Sequence, residues 1–283
     1  TPYENQISGL IVADNGQEMF ILTEYRIVEN VDRIQVVFCD GSMVDARFQK
    51  ADKNTGFAIL KVPVSDIPAE TKEKIITAPL GNSYGLNQGE PVIAIGSPMG
   101  YSDSVAYGVV TSTTNSVSKV DAEYGILTTD IVGSGDGSGI LVNLKGEVVG
   151  VIAQSFAKAD TKNIITGLSI SQTKDLIENL SNNKDIIYMG ITGQTITTEI
   201  SEKKGIPKGV FVEGVEVDSP AMQADIRNAD VIVEVNKEKV ETVKGYQQQL
   251  KSCKAGSVIE VKAMRQGTEG YVEVTFEVTL GAL

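Results

Sequence analysis

The feature that most constrains this chain is a run of short Val- and Ile-rich segments cut by two-residue turn signals. Gly9–Val12 and Met19–Thr23 are joined through Asn15-Gly16. Arg33–Cys39 alternates apolar and polar residues and leads through Asp40-Gly41 to Met43–Phe48. Asn-Gly and Asp-Gly tolerate positive φ, which short hairpins require, and Val and Ile pack well on a pleated surface. Further strands are predicted at Phe57–Val62, Pro91–Ile95, Gly108–Thr111, Gly125–Thr129, Ile140–Asn143, Glu147–Ala153 and Ile164–Leu168. Strands at this spacing, without intervening helices, predict an all-β sandwich or barrel up to about residue 168.

The pattern then changes. Thr173–Leu180 carries Leu176, Ile177 and Leu180 on one helical face, and the polar Ser181-Asn182-Asn183-Lys184-Asp185 marks a linker. From Tyr188 onward strands (Val210–Val212, Val231–Val235, Val258–Ala263, Val272–Val278) mix with two short helices. One helix follows Ser219-Pro220, where serine caps and proline takes the first helical position. The other runs from about Val243 to Ser252, with Val243, Tyr246 and Leu250 at helical spacing. The chain of 283 residues is long enough for two cores. The expected division is 1–180, a linker at 181–187, and 188–283.

A net charge of −12 argues against nucleic acid and anionic membrane surfaces as partners, since both attract basic patches. No histidine is present, and the two cysteines, Cys39 and Cys253, fall in different predicted domains and read as free thiols. Zinc is therefore poorly supported, the acidic residues show no calcium-loop spacing, and neither metal nor cofactor is expected. No run of 18 apolar residues occurs that could span a bilayer. The chain begins at Thr1 and reads as an excised segment, with any upstream signal or anchor outside it.

The run Gly135-Asp136-Gly137-Ser138-Gly139-Ile140-Leu141-Val142-Asn143 follows the nucleophile-loop pattern G-[DN]-S-G-G-P-L-[VL]-N of trypsin-fold proteases, with Gly137 at the serine and Ile140 at the proline. Ile21-Leu22-Thr23-Glu24-Tyr25-Arg26-Ile27-Val28 follows I-L-T-N-x-H-V-V, with Arg26 at the histidine. Asp52-Lys53-Asn54-Thr55-Gly56-Phe57-Ala58-Ile59-Leu60-Lys61-Val62 follows D-x-x-x-D-[IL]-A-[VIL]-L-K-[VI], with Gly56 at the aspartate. Pro91–Gly100, Gly108–Thr111, Thr129-Asp130 and Leu144–Val151 continue the series in order. Together these resemble the HtrA (Deg) serine proteases, and the resemblance covers nearly the whole chain. It implies a mainly β protein, a trypsin-like double β-barrel followed by an α+β PDZ domain.

Acyl-transfer chemistry of this type needs a hydroxyl, a base to take its proton and an acid to orient the base. Arginine stays protonated, and glycine offers neither hydroxyl nor carboxylate. The chain is therefore expected to be a pseudoprotease and not an enzyme, with Arg26, Gly56 and Gly137 as degenerate triad positions. In a shifted register Ser138 would be the nucleophile, with Ser134 nearby; a lysine or carboxylate would then have to serve as base. The simpler reading makes these small turn residues that supply backbone freedom. The amides of Gly135 and Gly137 are candidates for a remnant oxyanion hole. Arg26 either pairs with a carboxylate in the old cleft or is a solvated surface residue.

Tyr188-Met189-Gly190-Ile191 resembles the Y-[IL]-G-[IV] loop that opens HtrA-type PDZ domains. The resemblance implies that its amides receive a terminal carboxylate while the next strand pairs with the peptide. The helix bearing Tyr246, Gln249 and Leu250 would form the opposite wall. Asp225, Ala229 and Lys237 stand where the family has glycine, so each is expected to strain a turn by about 1 kcal/mol.

The function expected from this resemblance is capture of unfolded polypeptide or protein C-termini outside the cytoplasm, as sensor, scaffold or chaperone-like factor in protein quality control. An N-terminal membrane anchor absent from this chain is part of that expectation. A serine endopeptidase built on Ser138 and a structural modulator of an active HtrA paralogue are the alternatives. A homo-oligomer is compatible with the family.

Overall fold

The computed structural model describes residues 5–283, and the chain divides into two compact units. One comprises the chain up to Ser116 together with Tyr124–Lys184, and the other Val117–Glu123 together with Asp185–Leu283.

Among the described residues the first unit carries eleven strands, two of which, β7 and β8, run on at one end into the second unit: β1 Leu10–Asp14, β2 Glu18–Glu24, β3 Ile34–Val37, β4 Met43–Asp52, β5 Phe57–Pro63, β6 Pro91–Ser97, β7 Ser104–Lys119, β8 Ala122–Val132, β9 Ser138–Val142, β10 Val148–Ile152 and β11 Ile164–Ser169. The first five form a sheet in the order β1-β2-β5-β4-β3, and the other six close into a barrel, β10-β11-β8-β7-β6-β9. Of the two expected barrels, only the second is closed by hydrogen bonds among the described residues. The near-continuous apolar runs Met19–Leu22 and Phe57–Leu60 become central paired strands, because only a strand flanked on both sides and both edges tolerates such a run. Met19, Ile21, Ala58, Leu60 and Val62 fill one core, and Val92, Val110, Leu127, Leu141 and Ile165 fill the other. A helix at Ile170–Ser181 buries Leu176, Ile177 and Leu180, the face that periodicity singles out.

β7 and β8 are far longer than the expected Gly108–Thr111 and Gly125–Thr129. The extension of β7 reads Ser112-Thr113-Thr114-Asn115-Ser116-Val117-Ser118-Lys119, with none of the apolar alternation that marks a half-buried strand. The two strands meet at a turn of Val120 and Asp121, and Asp121 takes φ 56°. This tip, residues 117–123, belongs to the second unit.

The rest of the second unit contains β12 Ile187–Tyr188, β13 Ile191–Thr195, β14 Val210–Val215, β15 Val231–Val235, β16 Glu238–Lys239, β17 Val258–Gly267, β18 Gly270–Thr279 and β19 Gly281–Ala282. Its main sheet runs β13-β14-β15-β17-β18, leaving β13 at an edge, with β16 on β15 and a separate β12–β19 pair. The helix at Val243–Lys251 buries Val243, Tyr246 and Leu250 against this sheet's core. Ser219 caps Pro220–Gln223, its Oγ accepting from the Met222 amide at 3.1 Å. Asp225, Ala229 and Lys237 all adopt left-handed backbone, φ 65°, 70° and 68°, as the glycines of the family pattern imply.

Candidate functional site

In the first unit, Arg26, Gly56 and Gly137 come together. The Thr23–Arg26 corner ends β2, the turn before β5 supplies Gly56, and the turn before β9 supplies Gly137. All three line one cavity of about 670 Å³, together with Glu24, Asp136 and Lys162. Arg26 is 55% exposed and its Nε donates to Glu24 Oε2 at 2.7 Å. Burial pushes the Glu24 carboxyl above its ordinary value; Arg26 opposes this, and Asp136 reinforces it. Arg26 thus lines the cleft and pairs with a carboxylate of its own chain.

The turn at 134–139 is tightly knit. The Ser134 amide donates to Pro98 O at 2.8 Å and the Gly137 amide to Ser134 O at 2.9 Å. Gln154 Nε2 also donates to Ser134 O, at 3.2 Å. The Gly137 amide is therefore engaged inside the turn. A Cβ at Gly137 would lie 2.6 Å from Pro98 O and 3.0 Å from Ser134 O. Ser138 is 1% exposed, with Oγ 2.8 Å from Ser97 Oγ, and does not line the cavity. Its side chain lies between paired β6 and β9, where Ser97 and Ser138 stand opposite one another.

In the second unit the carboxylate-loop residues converge on Asp121. Its Oδ2 accepts from the amides of Met189 and Gly190, both at 2.7 Å, and its Oδ1 accepts from the Ile191 amide at 3.1 Å. The Tyr246 hydroxyl donates to Oδ1 as well. The Asp121 amide donates to Ile191 O at 2.7 Å. Burial raises the Asp121 carboxyl while the four donors oppose the rise, and burial beside that carboxylate pushes the Tyr246 hydroxyl well up. Gly190 takes φ 96°, and a Cβ there would meet Ser219 Cβ at 2.3 Å, so only glycine lets the three amides point one way.

Of the remaining residues expected here, Leu250 is buried in the core and Gln249 is half-buried, and no hydrogen bond joins either side chain to the loop. Tyr188 pairs with Gly281 beside the loop. Asp121, Glu24 and Lys162 were not singled out by sequence. Asp121 lies 68 residues from Met189, and no local motif links them.

The sequence matches the trypsin-like peptidase domain over residues 7–151 and the PDZ domain over 179–276. A probable periplasmic serine endoprotease, DegP-like, from Pseudomonas savastanoi pv. phaseolicola is 30% identical over 277 residues, covering 95% of this chain and 55% of its own length. A protein of the same description from Halomonas elongata is 28% identical over 274 residues, with the same coverage. The chain belongs to the HtrA/DegP family of trypsin-like serine proteases with a PDZ domain.

A solved structure described as the HtrA-type protease AlgW with decapeptide shares the fold at a TM-score of 0.70 and 21% identity, over 97% of this chain and 82% of that one. The serine endoprotease from Yersinia pestis does so at 0.64 and 24%, over 97% and 88%. The chain spans 55% of the length of each of the two DegP-like relatives named above. These comparisons correct one expectation. Absence of the three triad side chains predicts that the chain is not an enzyme, whereas relatives that align with 95% of it are named probable serine endoproteases, DegP-like, or a serine protease, Do-like HtrA, which points to a protease.

Proposed function

We propose that this HtrA-type chain takes up polypeptide outside the cytoplasm and captures carboxylate-ended peptide at Met189–Ile191. The observation that carries this reading is the convergence of three consecutive amides on one carboxylate beside the edge strand β13. Carboxylate capture combined with strand addition is a known mode of peptide recognition. The extracytoplasmic setting is supported by the periplasmic description of the DegP-like relatives. The test is calorimetric titration of the full chain with an apolar-ended peptide and with the same peptide amidated at its C-terminus. Binding abolished by amidation is the expected result, and equal binding of the two forms would overturn the reading.

A second reading, cleavage of the captured polypeptide, follows from the relatives' names. Glu24 favours it: a carboxyl raised by burial in the cleft that holds Arg26, Gly56 and Gly137 is suited to proton transfer. Ser138 is the hydroxyl this reading uses, and it would have to turn from Ser97 into the cleft. Digestion of an unfolded protein by the full chain, lost in Ser138→Ala and in Glu24→Gln, is the result it requires. Digestion that survives in Ser138→Ala would remove that serine from the mechanism.

A further inference from the structure

A carboxylate is a demanding thing to bury. Out of water it is tolerated only when donors replace its hydration. Asp121 is 8% exposed and meets four donors: three successive amides and a tyrosine hydroxyl. Its own amide pairs with Ile191 O, the first residue of edge strand β13. Side-chain carboxylate in the loop and main-chain amide on the strand reproduce both elements by which a peptide end is recognised. The left-handed φ of 56° at Asp121 lets the turn present both groups at once.

We infer that the tip of the β7–β8 hairpin is a built-in ligand, and that a C-terminal peptide gains the groove only by displacing Asp121. This rests on the reading of the second unit as a carboxylate receptor. The apparent affinity of a groove open only a fraction of the time is reduced by that fraction, so removing the internal ligand raises affinity without adding a contact.

The experiment compares the full wild-type chain with Asp121→Gly, which suits the positive φ, and with Asp121→Asn, which keeps the shape and removes the charge. Two quantities are measured: amide hydrogen exchange at Met189, Gly190 and Ile191, and the affinity for a peptide ending in an apolar residue, free or amidated. The expected result is slow exchange in the wild type, acceleration of tenfold or more in Asp121→Gly, and at least tenfold tighter binding of the free-acid peptide, with Asp121→Asn between. Equal exchange in wild type and variants would overturn the occupancy of the loop by Asp121. Equal carboxylate-dependent affinity in all three would overturn the competition and leave the receptor reading standing. No binding of either peptide to any of them, once exchange shows the amides freed, would overturn the receptor reading and the competition with it.

Discussion

Placing a serine at position 137 is expected to destabilise the first unit. The added Cβ would sit 2.6 Å from Pro98 O and 3.0 Å from Ser134 O, with Ile165 Cδ1 at 3.3 Å on a third side. Neither carbonyl is free to retreat. Pro98 O holds the Ser134 amide, and Ser134 O holds the Gly137 amide and Gln154. Relief therefore breaks at least one hydrogen bond, which is a loss of about 1 kcal/mol, and overpacking of this kind costs about 1–3 kcal/mol in all. For a domain of this class each kcal/mol lowers the midpoint by about 2–4 °C, giving a fall of about 2–12 °C. Gly135→Ser is the matched control: a Cβ there meets only Lys162 O, at 3.8 Å, so a change within about 0.5 kcal/mol is expected. Urea unfolding at constant slope, with calorimetry alongside, reads both. A Gly137→Ser protein as stable as the wild type, or one that loses no more than Gly135→Ser, would refute the argument that this turn has no room for a side chain at 137.

Other consequences follow from the second unit and from the buried carboxylates. Ala229→Gly and Lys237→Gly relieve left-handed backbone and are each expected to raise stability by about 1 kcal/mol in denaturant titrations; a loss in either would contradict the strain. Arg265 Nε and Nη2 both reach the 1%-exposed Asp230 carboxylate at 2.7 Å. Arg265→Met leaves that charge without its cation and is expected to cost about 3 kcal/mol, with a cost below 1 kcal/mol counting against it. Burial raises the Asp52 carboxyl, with the Thr55 hydroxyl and amide opposing. The folded chain then holds that proton more readily than the unfolded chain. Stability due to this group falls as pH rises from the ordinary carboxylate range through the raised folded value, and Asp52→Asn should flatten that part of the stability curve.

Much of the fold was legible because its signals are local. Central strands such as Phe57–Pro63 announce themselves as apolar runs, and Val243–Lys251 by apolar residues at helical spacing. The positive φ at Asp225, Ala229 and Lys237 was readable from the glycine pattern alone. Thr198–Lys204 escaped for a physical reason: the helix buries no residue, so it has no apolar stripe, and only its caps, Thr197 and Gly205, betray it. The polar arms of the β7–β8 hairpin escaped because solvated strands lack alternation.

The amino-acid sequence by itself determined much of the strand and turn punctuation, the family, and which residue types, Arg26, Gly56 and Gly137, line the cleft. Tertiary structure alone decided that Ser138 faces Ser97, that the Gly137 amide is closed within its turn, and that Asp121 fills the Met189–Ile191 loop. Periodicity and φ demands act over a few residues, so the chain states them as it runs. Whether a carboxylate is buried depends on donors brought from 68 to 125 residues away, and only the folded path brings them together.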